Sequence, residues 1–381
     1  MILHREHDTL NNYLIFKERI IMSATFLEIA LPISLQLSPG IKGASIIFLT
    51  DGGYLLSFEE RPEVIRLDRD LKEIWRRDLQ AQKIRYVGCK VSANANGSLI
   101  GVSGYKDIRI FDGTGNLLWT FTHEPWNSFT GANCFFSPDN SLLWIIAPGA
   151  PDHLYVIRAA DFAMLDHYTL DGHQENNYSL IATPDNEKVL IEVAAGQDDA
   201  SLLLVQFTDG KIRVQELSAC QDRIAGNFSP NGNEFVTGPH NSAGIEIFSF
   251  PFFENTAVLE QADLFAAAAG YADSEDPDTL NYTVLFLNDT TLLAFTRFGR
   301  LLLIDRQTMT CTGELVAEGN HIQAYDDNWK VTTDPAIPVT EYASDIISVQ
   351  VAHHQHLVLT YGSGDIRWHD LSPLHNLSVL P

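Results

Sequence analysis

Residues 137–146 read Ser-Pro-Asp-Asn-Ser-Leu-Leu-Trp-Ile-Ile, a short polar stretch followed at once by an apolar run. Proline presets one backbone angle, and Asp and Asn tolerate left-handed backbone, so the polar stretch favours a tight turn between two strands. Related stretches begin at residues 92, 183 and 229, so the four copies are 45, 46 and 46 residues apart. These further copies are Ser92-Ala93-Asn94-Ala95-Asn96-Gly97, Thr183-Pro184-Asp185-Asn186 and Ser229-Pro230-Asn231-Gly232.

Weaker copies of the turn extend the repeat in both directions and bring the number of units to seven. They are Asp51-Gly52-Gly53, Asn288-Asp289 and His354-Gln355. Four short strands in roughly 40 to 50 residues are typical of one propeller blade. The sequence therefore predicts an all-β fold, a seven-bladed β-propeller of four-stranded antiparallel blades. A pair of β-sandwiches and a β-helix are the alternatives.

The repeat also predicts the domain organisation. The predicted blades occupy residues 41–80, 84–123, 130–171, 177–218, 222–260, 279–316 and 344–371. They belong to a single domain that covers residues 23–381, and residues 1–22 are interpreted as an extension or a disordered segment. A first insertion (residues 262–278) and a second insertion (residues 316–343) displace the last two blades. We call these two segments together the insertion pair.

A propeller ring has to join its last blade to its first, because an open edge leaves backbone groups unpaired. Blade seven has three clear apolar strands, so it needs a fourth from elsewhere. The apolar residues 26–33 precede blade one and are predicted to close the ring as an N-terminal strand. The competing choice is the C-terminal segment 376–380.

Several short motifs carry a resemblance to known propellers. Asp171-Gly172-His173 followed by the turn at 183–186 is similar to the start of a WD repeat, and Asp112-Gly113 before Trp119 is similar to the ending of quinoprotein repeats. The chain thus resembles the WD-repeat and quinoprotein-like seven-bladed propellers. This resemblance implies the fold and no particular activity, because propellers host both binding modules and enzymes.

Charge excludes some classes of partner. Lys plus Arg number 25 against 49 Asp plus Glu, a formal charge of −24 with a pI near 4.7. Neither a nucleic acid nor an anionic membrane surface suits so acidic a chain. We find neither a secretory signal nor an apolar run long enough to span a bilayer, and the four cysteines are scattered. A cytoplasmic protein that is monomeric on its own is therefore expected.

Motifs for catalysis are missing from the sequence. It contains no Gly-x-Ser-x-Gly and no phosphate-binding loop. His353, His354 and His356 lack a further ligand at a suitable spacing, and the acidic stretches around Asp198 and Asp273 do not match a calcium loop. We therefore expect no catalytic residues, no cofactor and no metal site.

The insertion pair supplies the candidate binding residues. In a propeller, the loop that leads from the fourth strand to the next blade shares a face with the loop between the second and third strands. Both insertions are of the first kind and are expected to rise on that face, where two further loops contribute. The candidates are Trp126, His173, Asp273, Glu275, Asp276, His321, Tyr325, Asp326, Asp327 and Trp329. Exposed aromatic and acidic side chains suit a partner with basic character, and solvated decoration is the alternative.

The leading functional hypothesis is a non-catalytic protein-interaction scaffold that binds a protein or peptide on the face of the long loops. The alternative is a small-molecule enzyme, similar to lactonase or lyase propellers, with its site at the mouth of the central channel. That alternative requires His173, His321 and carboxylates from several blades to converge.

Overall fold

The computed structural model describes residues 26–40, 44–58, 61, 63–78, 90–126, 133–174, 176–194, 199–240, 244–353 and 356–375. Some expectations from the sequence fall outside these residues. They concern the extension 1–22, the alternative closing segment 376–380, His354 and Asp198. Within the described residues, the chain forms a ring of seven blades of four antiparallel strands, as predicted, and one blade carries an additional parallel strand.

The described residues begin with two short strands, and blades one to three follow. The opening strands are β1 (Leu27–Leu31) and β2 (Ile33–Leu37). Blade one contains β3 (Ala44–Phe48), β4 (Tyr54–Phe58), β5 (Glu63–Leu67) and β6 (Glu73–Asp78). Blade two contains β7 (Lys90–Ala93), β8 (Leu99–Ser103), β9 (Asp107–Asp112) and β10 (Leu117–Thr122). Blade three contains β11 (Cys134–Phe136), β12 (Leu142–Ala147), β13 (His153–Arg158) and β14 (Met164–Thr169).

Blades four and five keep the same order of strands. Blade four contains β15 (Asn177–Ala182), β16 (Lys188–Ala194), β17 (Ala200–Thr208) and β18 (Lys211–Glu216). A short 3₁₀ helix, Ser218–Cys220, leads to blade five, which contains β19 (Arg223–Phe228), β20 (Glu234–Pro239), β21 (Gly244–Ser249) and β22 (Asn255–Glu260). Helix α1 (Gln261–Ala267) follows β22 directly and contains the first residues of the first insertion.

Blades six and seven flank the second insertion. Blade six contains β23 (Leu280–Asn288), β24 (Thr291–Thr296), β25 (Leu301–Asp305) and β26 (Thr310–Ala317). The second insertion forms a hairpin of β27 (Gln323–Tyr325) and β28 (Glu341–Ala343). Blade seven takes three strands from this end of the chain, β29 (Ile346–Ala352), β30 (His356–Tyr361) and β31 (Ile366–Asp370), and helix α2 (Ser372–His375) follows them.

An N-terminal strand closes the ring, but it is not the predicted one. Strand β2 pairs antiparallel with β31 as the fourth strand of blade seven. The predicted closing residues 26–33 lie mostly in β1, which pairs parallel with β26 as a fifth strand of blade six. Pro32 separates the two strands. Since proline has no N–H to donate, it interrupts a pairing strand, and the chain passes from one blade to the next there.

The core lies between the blades rather than inside any one of them. The buried apolar side chains of the described residues form seven clusters, one at each interface between neighbouring blades. Strand β12 shows how one strand serves two clusters: Leu143 and Ile145 face blade two, and Trp144 and Ile146 face blade four. Because successive side chains point to opposite faces of a sheet, a blade covered on both faces needs a continuous apolar run.

The repeated turn also links neighbouring blades. The backbone N–H of Thr50 donates to the carbonyl of Ala95 at 2.8 Å, and the N–H of Ala95 donates to Asn140 Oδ1 at 3.1 Å. Farther around the ring, the N–H of Asn231 donates to Asp289 Oδ1 at 3.0 Å. These turns therefore close their own hairpins and also contact a neighbouring blade, which gives their residues a second structural role.

Candidate partner-binding site

Backbone hydrogen bonds join the two insertions into one unit. The N–H of Glu275 donates to the carbonyl of Val339 at 2.9 Å, and the N–H of Asp276 donates to the carbonyl of Thr340 at 2.9 Å. The Ser274 hydroxyl donates to the same Thr340 carbonyl at 2.7 Å. These three bonds form a short strip of sheet-like pairing between segments that are more than sixty residues apart.

Aromatic packing fixes this unit on blade six. The ring centroids of Tyr271 and Tyr342 lie 4.6 Å apart, and Tyr342 lies 5.7 Å from Phe298, which is fully buried in the loop between β24 and β25. The Tyr342 hydroxyl donates to Asp273 at 2.9 Å. Burial and this hydrogen bond to a carboxylate raise the pKa of Tyr342, so it stays a neutral donor.

Two arginines of blade six complete the attachment. Arg300 is 3% exposed and donates through Nε and Nη2 to Glu314 Oε2, at 3.1 and 2.8 Å. Its Nη1 donates to the carbonyl of Ala268 at 2.8 Å, at the end of α1. Arg297 pairs with Asp276 of the first insertion at 3.3 Å and with Glu341 of the second. Arg300 therefore ties the end of α1 to blade six, and Arg297 ties both insertions to the same blade.

The tip of the second insertion is a tight turn with an exposed tryptophan. Asp326 Oδ1 accepts hydrogen bonds from the N–H groups of Asn328 and Lys330, both at 2.9 Å, and the Trp329 N–H donates to the Asp326 carbonyl at 3.0 Å. Trp329 has a left-handed backbone angle φ of 58° and is 68% exposed. Its ring lies 6.4 Å from that of Tyr325. The turn therefore holds a large aromatic side chain out in solvent.

The insertion pair is strongly acidic. It contains ten carboxylate side chains and one lysine, Lys330, a formal charge of −9 within the total of −24. Two of the predicted candidates in the first insertion are engaged internally, since Asp273 accepts from Tyr342 and Asp276 pairs with Arg297. Glu275 and Asp327 are exposed. The surface of the unit therefore combines negative charge with exposed apolar groups, which include Val331 and Ile337 beside the tip.

Two predicted candidates lie elsewhere in the ring. Trp126 is 2% exposed and packs in the core between blades three and four, with its ring 6.4 Å from that of Tyr178. It is not a rim residue, because the indole is buried among the apolar side chains of that interface. His173 is half-buried in the loop between blades three and four, where its Nδ1 lies 3.3 Å from Asn176 Nδ2.

His321 is exposed and lines two cavities beside the second insertion. A cavity of about 530 Å³ reaches from His321 to Glu28, Tyr271 and Glu314, and another of about 350 Å³ reaches to Tyr325, Tyr361 and Arg367. Each cavity lies between an insertion and the ring. The histidine thus belongs to the insertion pair, and the structure places His173 in a different loop.

The cysteines that the structure describes are unsuited to nucleophilic attack. Cys134, Cys220 and Cys311 are buried free thiols. Burial raises the pKa of Cys220 to about 12 and that of Cys311 to about 11, so neither forms a thiolate near neutral pH. Across the described residues, no cluster of three or more His, Cys, Asp or Glu side chains has the geometry of a metal site. No helix among them is long and apolar enough to cross a membrane.

The residues that hold the insertion pair together were not singled out from the sequence. Arg297, Phe298 and Arg300 lie in the loop between the second and third strands of blade six. A signal was present, because Arg297-Phe298-Gly299-Arg300 places two cations in a loop that shares a face with both acidic insertions. The face rule that located the insertions therefore also locates their basic anchors.

Comparisons with known proteins identify the fold. The structure is similar to the crystal structure of BamB from Moraxella catarrhalis, with a TM-score of 0.55 and 12% sequence identity over 90% of this chain and 100% of that chain. No protein-family model matches the sequence, and no curated protein matches it. This structural similarity supports the propeller fold that the resemblance implied. Assignment to the WD-repeat proteins stays a prediction.

Proposed function

We propose that the protein is a non-catalytic scaffold and that the insertion pair binds a protein partner with basic character. The observation that carries the proposal is Trp329, which is 68% exposed yet stands on a turn fixed by Asp326. Tryptophan is enriched among the residues that dominate binding energy at protein interfaces. A side chain held by a rigid turn loses little freedom on binding, so its contact area contributes to affinity.

Charge defines the rest of the surface. The tip carries Asp326 and Asp327, and the neighbouring first insertion presents Glu275. With a formal charge of −9 on the insertion pair, a partner that surrounds its apolar pocket with Lys and Arg is attracted and oriented before contact. We therefore expect the rate of association to fall steeply as salt is added, because exposed charges are screened.

Attachment to the propeller supports this binding role. Blade six carries the attachment of both insertions through Phe298, Arg297 and Arg300, so the binding unit stands on a packed ring instead of a free loop. Cytoplasmic location and a monomeric state are further parts of the proposal. They rest on the scattered cysteines and on a net charge of −24, which opposes self-association.

The test compares two exposed aromatic residues, Trp329 at the tip of the second insertion and Phe252 in the turn between β21 and β22. Trp329→Ala removes the proposed anchor, and Phe252→Ala is the matched control. Phe252 is 76% exposed in the turn that begins β22, whereas the first insertion begins where β22 ends. Partners captured by the wild-type chain from cell extract and identified by mass spectrometry are then purified and titrated against each variant.

We expect Trp329→Ala to weaken binding by about tenfold or more, as loss of a dominant interface tryptophan does. Phe252→Ala should bind like the wild type. Equal affinity of the wild type and Trp329→Ala for every captured partner contradicts the proposal. A loss of binding only with Phe252→Ala places the interface at the opposite end of the ring.

A further inference from the structure

Positive charge in this acidic chain is concentrated in one stretch. Residues 61–109 contain 11 of the 25 Lys and Arg residues against six Asp and Glu, a formal charge of +5. The rest of the chain has a formal charge of −29. The basic stretch runs from the loop before β5 of blade one into β9 of blade two. The total of −24 therefore conceals one region of opposite sign.

Ion pairing also distinguishes this stretch from the rest of the ring. Beyond residue 109, nine of the ten described Lys and Arg residues pair with a carboxylate, and Lys330 is the exception. Within residues 61–109, five exposed cations form no ion pair with any described residue: Arg61, Arg69, Lys72, Arg77 and Lys106. Acids outnumber bases almost two to one in the chain, yet it does not supply the counter-charge for these five.

Three of these cations lie along the outer edge of blade one. Arg69 and Lys72 belong to the turn between β5 and β6, and Arg77 lies in β6, the outermost strand of the blade. The turn is fixed, because Asp68 Oδ1 accepts the N–H groups of Asp70 and Lys72, both at 2.9 Å. We call Arg69, Lys72 and Arg77 the basic edge.

The carboxylates close to the basic edge are mostly engaged. Glu63 and Glu73 both pair with Arg76, at 2.9 and 2.8 Å, and Asp68 is bound by its own turn. Among the described residues of this edge, Asp70 is the exposed acid whose side chain has no partner. Three unpaired cations thus stand beside one unpaired carboxylate, and the edge keeps a net positive charge.

Exposed apolar side chains lie beside the basic edge. Ile74 of β6 is 56% exposed. The surface continues onto blade two, where the Arg77 side chain lies so close to Gly115 that a Cβ there would be 2.6 Å from Arg77 Cγ. Leu117 and Leu118 follow in β10 and are 55% and 49% exposed. The region therefore offers apolar contact area next to unpaired charge, as protein interfaces do.

We propose that the basic edge, with Ile74, Leu117 and Leu118, binds an extended acidic segment of a partner protein, in which Asp and Glu alternate with apolar residues. The basic edge is separate from the insertion pair, so the inference does not depend on the proposed function. An extended segment of about six residues is long enough to follow β6 from Lys72 to Arg77, since a strand advances about 3.3 Å per residue.

The charge distribution favours a short protein segment over a larger polyanion. Salt limits the reach of each exposed charge to about 8 Å under physiological conditions, so a short segment on the basic edge interacts mainly with its three cations. A nucleic acid or an anionic membrane extends well beyond the edge and meets the carboxylates of the remaining chain, whose formal charge is −29. Those carboxylates repel it.

The experiment uses the full-length protein and two fluorescent peptides. The acidic probe is Glu-Leu-Glu-Ser-Asp-Leu-Glu-Ser, and the neutral probe has Gln and Asn in place of Glu and Asp. Fluorescence anisotropy measures the binding of each peptide. In low salt we expect the acidic peptide to bind about tenfold tighter than the neutral one. The difference should shrink as salt is added, because the charges involved are exposed.

Four variants locate the binding surface. Arg77→Glu and Lys72→Glu should each weaken binding of the acidic peptide by about fivefold or more, and either one keeps the test informative if the other does not fold. Ile74→Ser should weaken both peptides by about threefold. Arg213→Glu is the matched control, an exposed arginine in the outermost strand of blade four. It changes the net charge as Arg77→Glu does and should leave binding nearly unchanged.

Equal binding of the two peptides overturns the proposal, and so does acidic-peptide binding that folded Arg77→Glu and Lys72→Glu leave intact. Vesicles of phosphatidylcholine and phosphatidylserine are tested in parallel. If vesicles bind through Arg77 and the acidic peptide does not, the edge is a membrane surface and the proposal is wrong. Self-association that Arg77→Glu abolishes, without peptide binding, identifies a second copy of the chain as the occupant and also rejects the proposal.

Discussion

Blades two to four and blades six and seven are built in different ways from the same four-stranded plan. In blades two to four, all four strands come from one continuous stretch of chain. Blade seven takes its fourth strand from β2, and blade six adds β1 as a fifth. Those pairings join residues about 300 positions apart, as between Leu27 of β1 and Gly313 of β26.

The difference shows where the ring depends on distant residues. In blades two to four, the repeated turn fixes each hairpin locally, and the next blade follows within a few residues. At blades six and seven, Leu31 is 1% exposed and packs with Leu287 and Leu357 from two different blades. Loss of the N-terminal strands therefore affects two blades, whereas a damaged turn affects one hairpin and its neighbour.

Removal of residues 1–37 should have the largest effect on stability. This deletion takes away β1 and β2, exposes the edges of blades six and seven, and removes Leu31 from the core. Loss of one buried leucine alone costs about 2 to 5 kcal/mol, so we expect the free energy of unfolding to fall by more than about 4 kcal/mol. Urea denaturation measures the change.

Deletion of residues 1–25 is the control for this prediction, because it keeps every described residue. We expect its urea midpoint to match that of the full chain. If the 1–37 deletion is as stable as the 1–25 deletion, the N-terminal strands do not hold the ring together.

The second-largest effect is expected from acid, which should weaken the contacts that close the ring. His369 is fully buried, and its Nδ1 lies 3.1 Å from the Leu31 carbonyl and 3.2 Å from that of Pro32, where the chain crosses between blades. Burial lowers the pKa of His369. The folded state then binds fewer protons than the unfolded state, so this contribution is complete above about pH 6.5 and declines as the pH falls below it.

The measurement for His369 is unfolding free energy between pH 7.5 and pH 5. One such histidine contributes a slope of at most about 1.4 kcal/mol per pH unit, and His369→Asn should flatten the curve by a comparable amount while keeping an N–H donor. Burial also lowers the pKa of His123, which follows the last strand of blade two and serves as the comparison. Identical pH slopes for the wild type and His369→Asn argue against a role of this side chain in acid sensitivity.

The smallest effect is expected at a single turn of the regular blades. Asn140 has φ of 62°, and its Oδ1 accepts the Ala95 N–H from the neighbouring blade. Asn140→Ala loses that bond and places a less suitable residue in left-handed backbone, at a cost of about 1 to 2 kcal/mol. Asn140→Gly loses only the bond and should cost less than Asn140→Ala. Thermal unfolding separates the two, and equal loss in both variants contradicts a backbone contribution.

The contrast between the regular blades and blades six and seven also shows how much of the fold the sequence could predict. The turns at residues 92, 137, 183 and 229 located blades two to five, since proline and left-handed Asn and Gly act within a few residues. The two insertions were predicted because the last two copies of the turn are displaced from the regular spacing. Closure by an N-terminal strand was expected correctly, but both β1 and β2 are short strands with apolar residues, and nothing local tells which blade edge each one joins.

Side-chain environments were harder to predict than elements. Trp126 resembled an exposed aromatic residue of a loop, yet it is buried against Tyr178, a residue more than fifty positions away. Asp273 looked free in a run of acids, and its partner Tyr342 belongs to the other insertion. Both outcomes depend on contacts between distant segments, which residue type and spacing do not encode.

The placement of β1 in blade six and β2 in blade seven has a consequence during protein synthesis. These strands are among the first described residues to leave the ribosome, and β31, which completes the blade with β2, is among the last. At about 5 to 20 residues per second, the interval between them is roughly 15 to 70 s. During that time β2 has no strand to pair with, so protection of the nascent N-terminus is a requirement that this architecture sets for the cell.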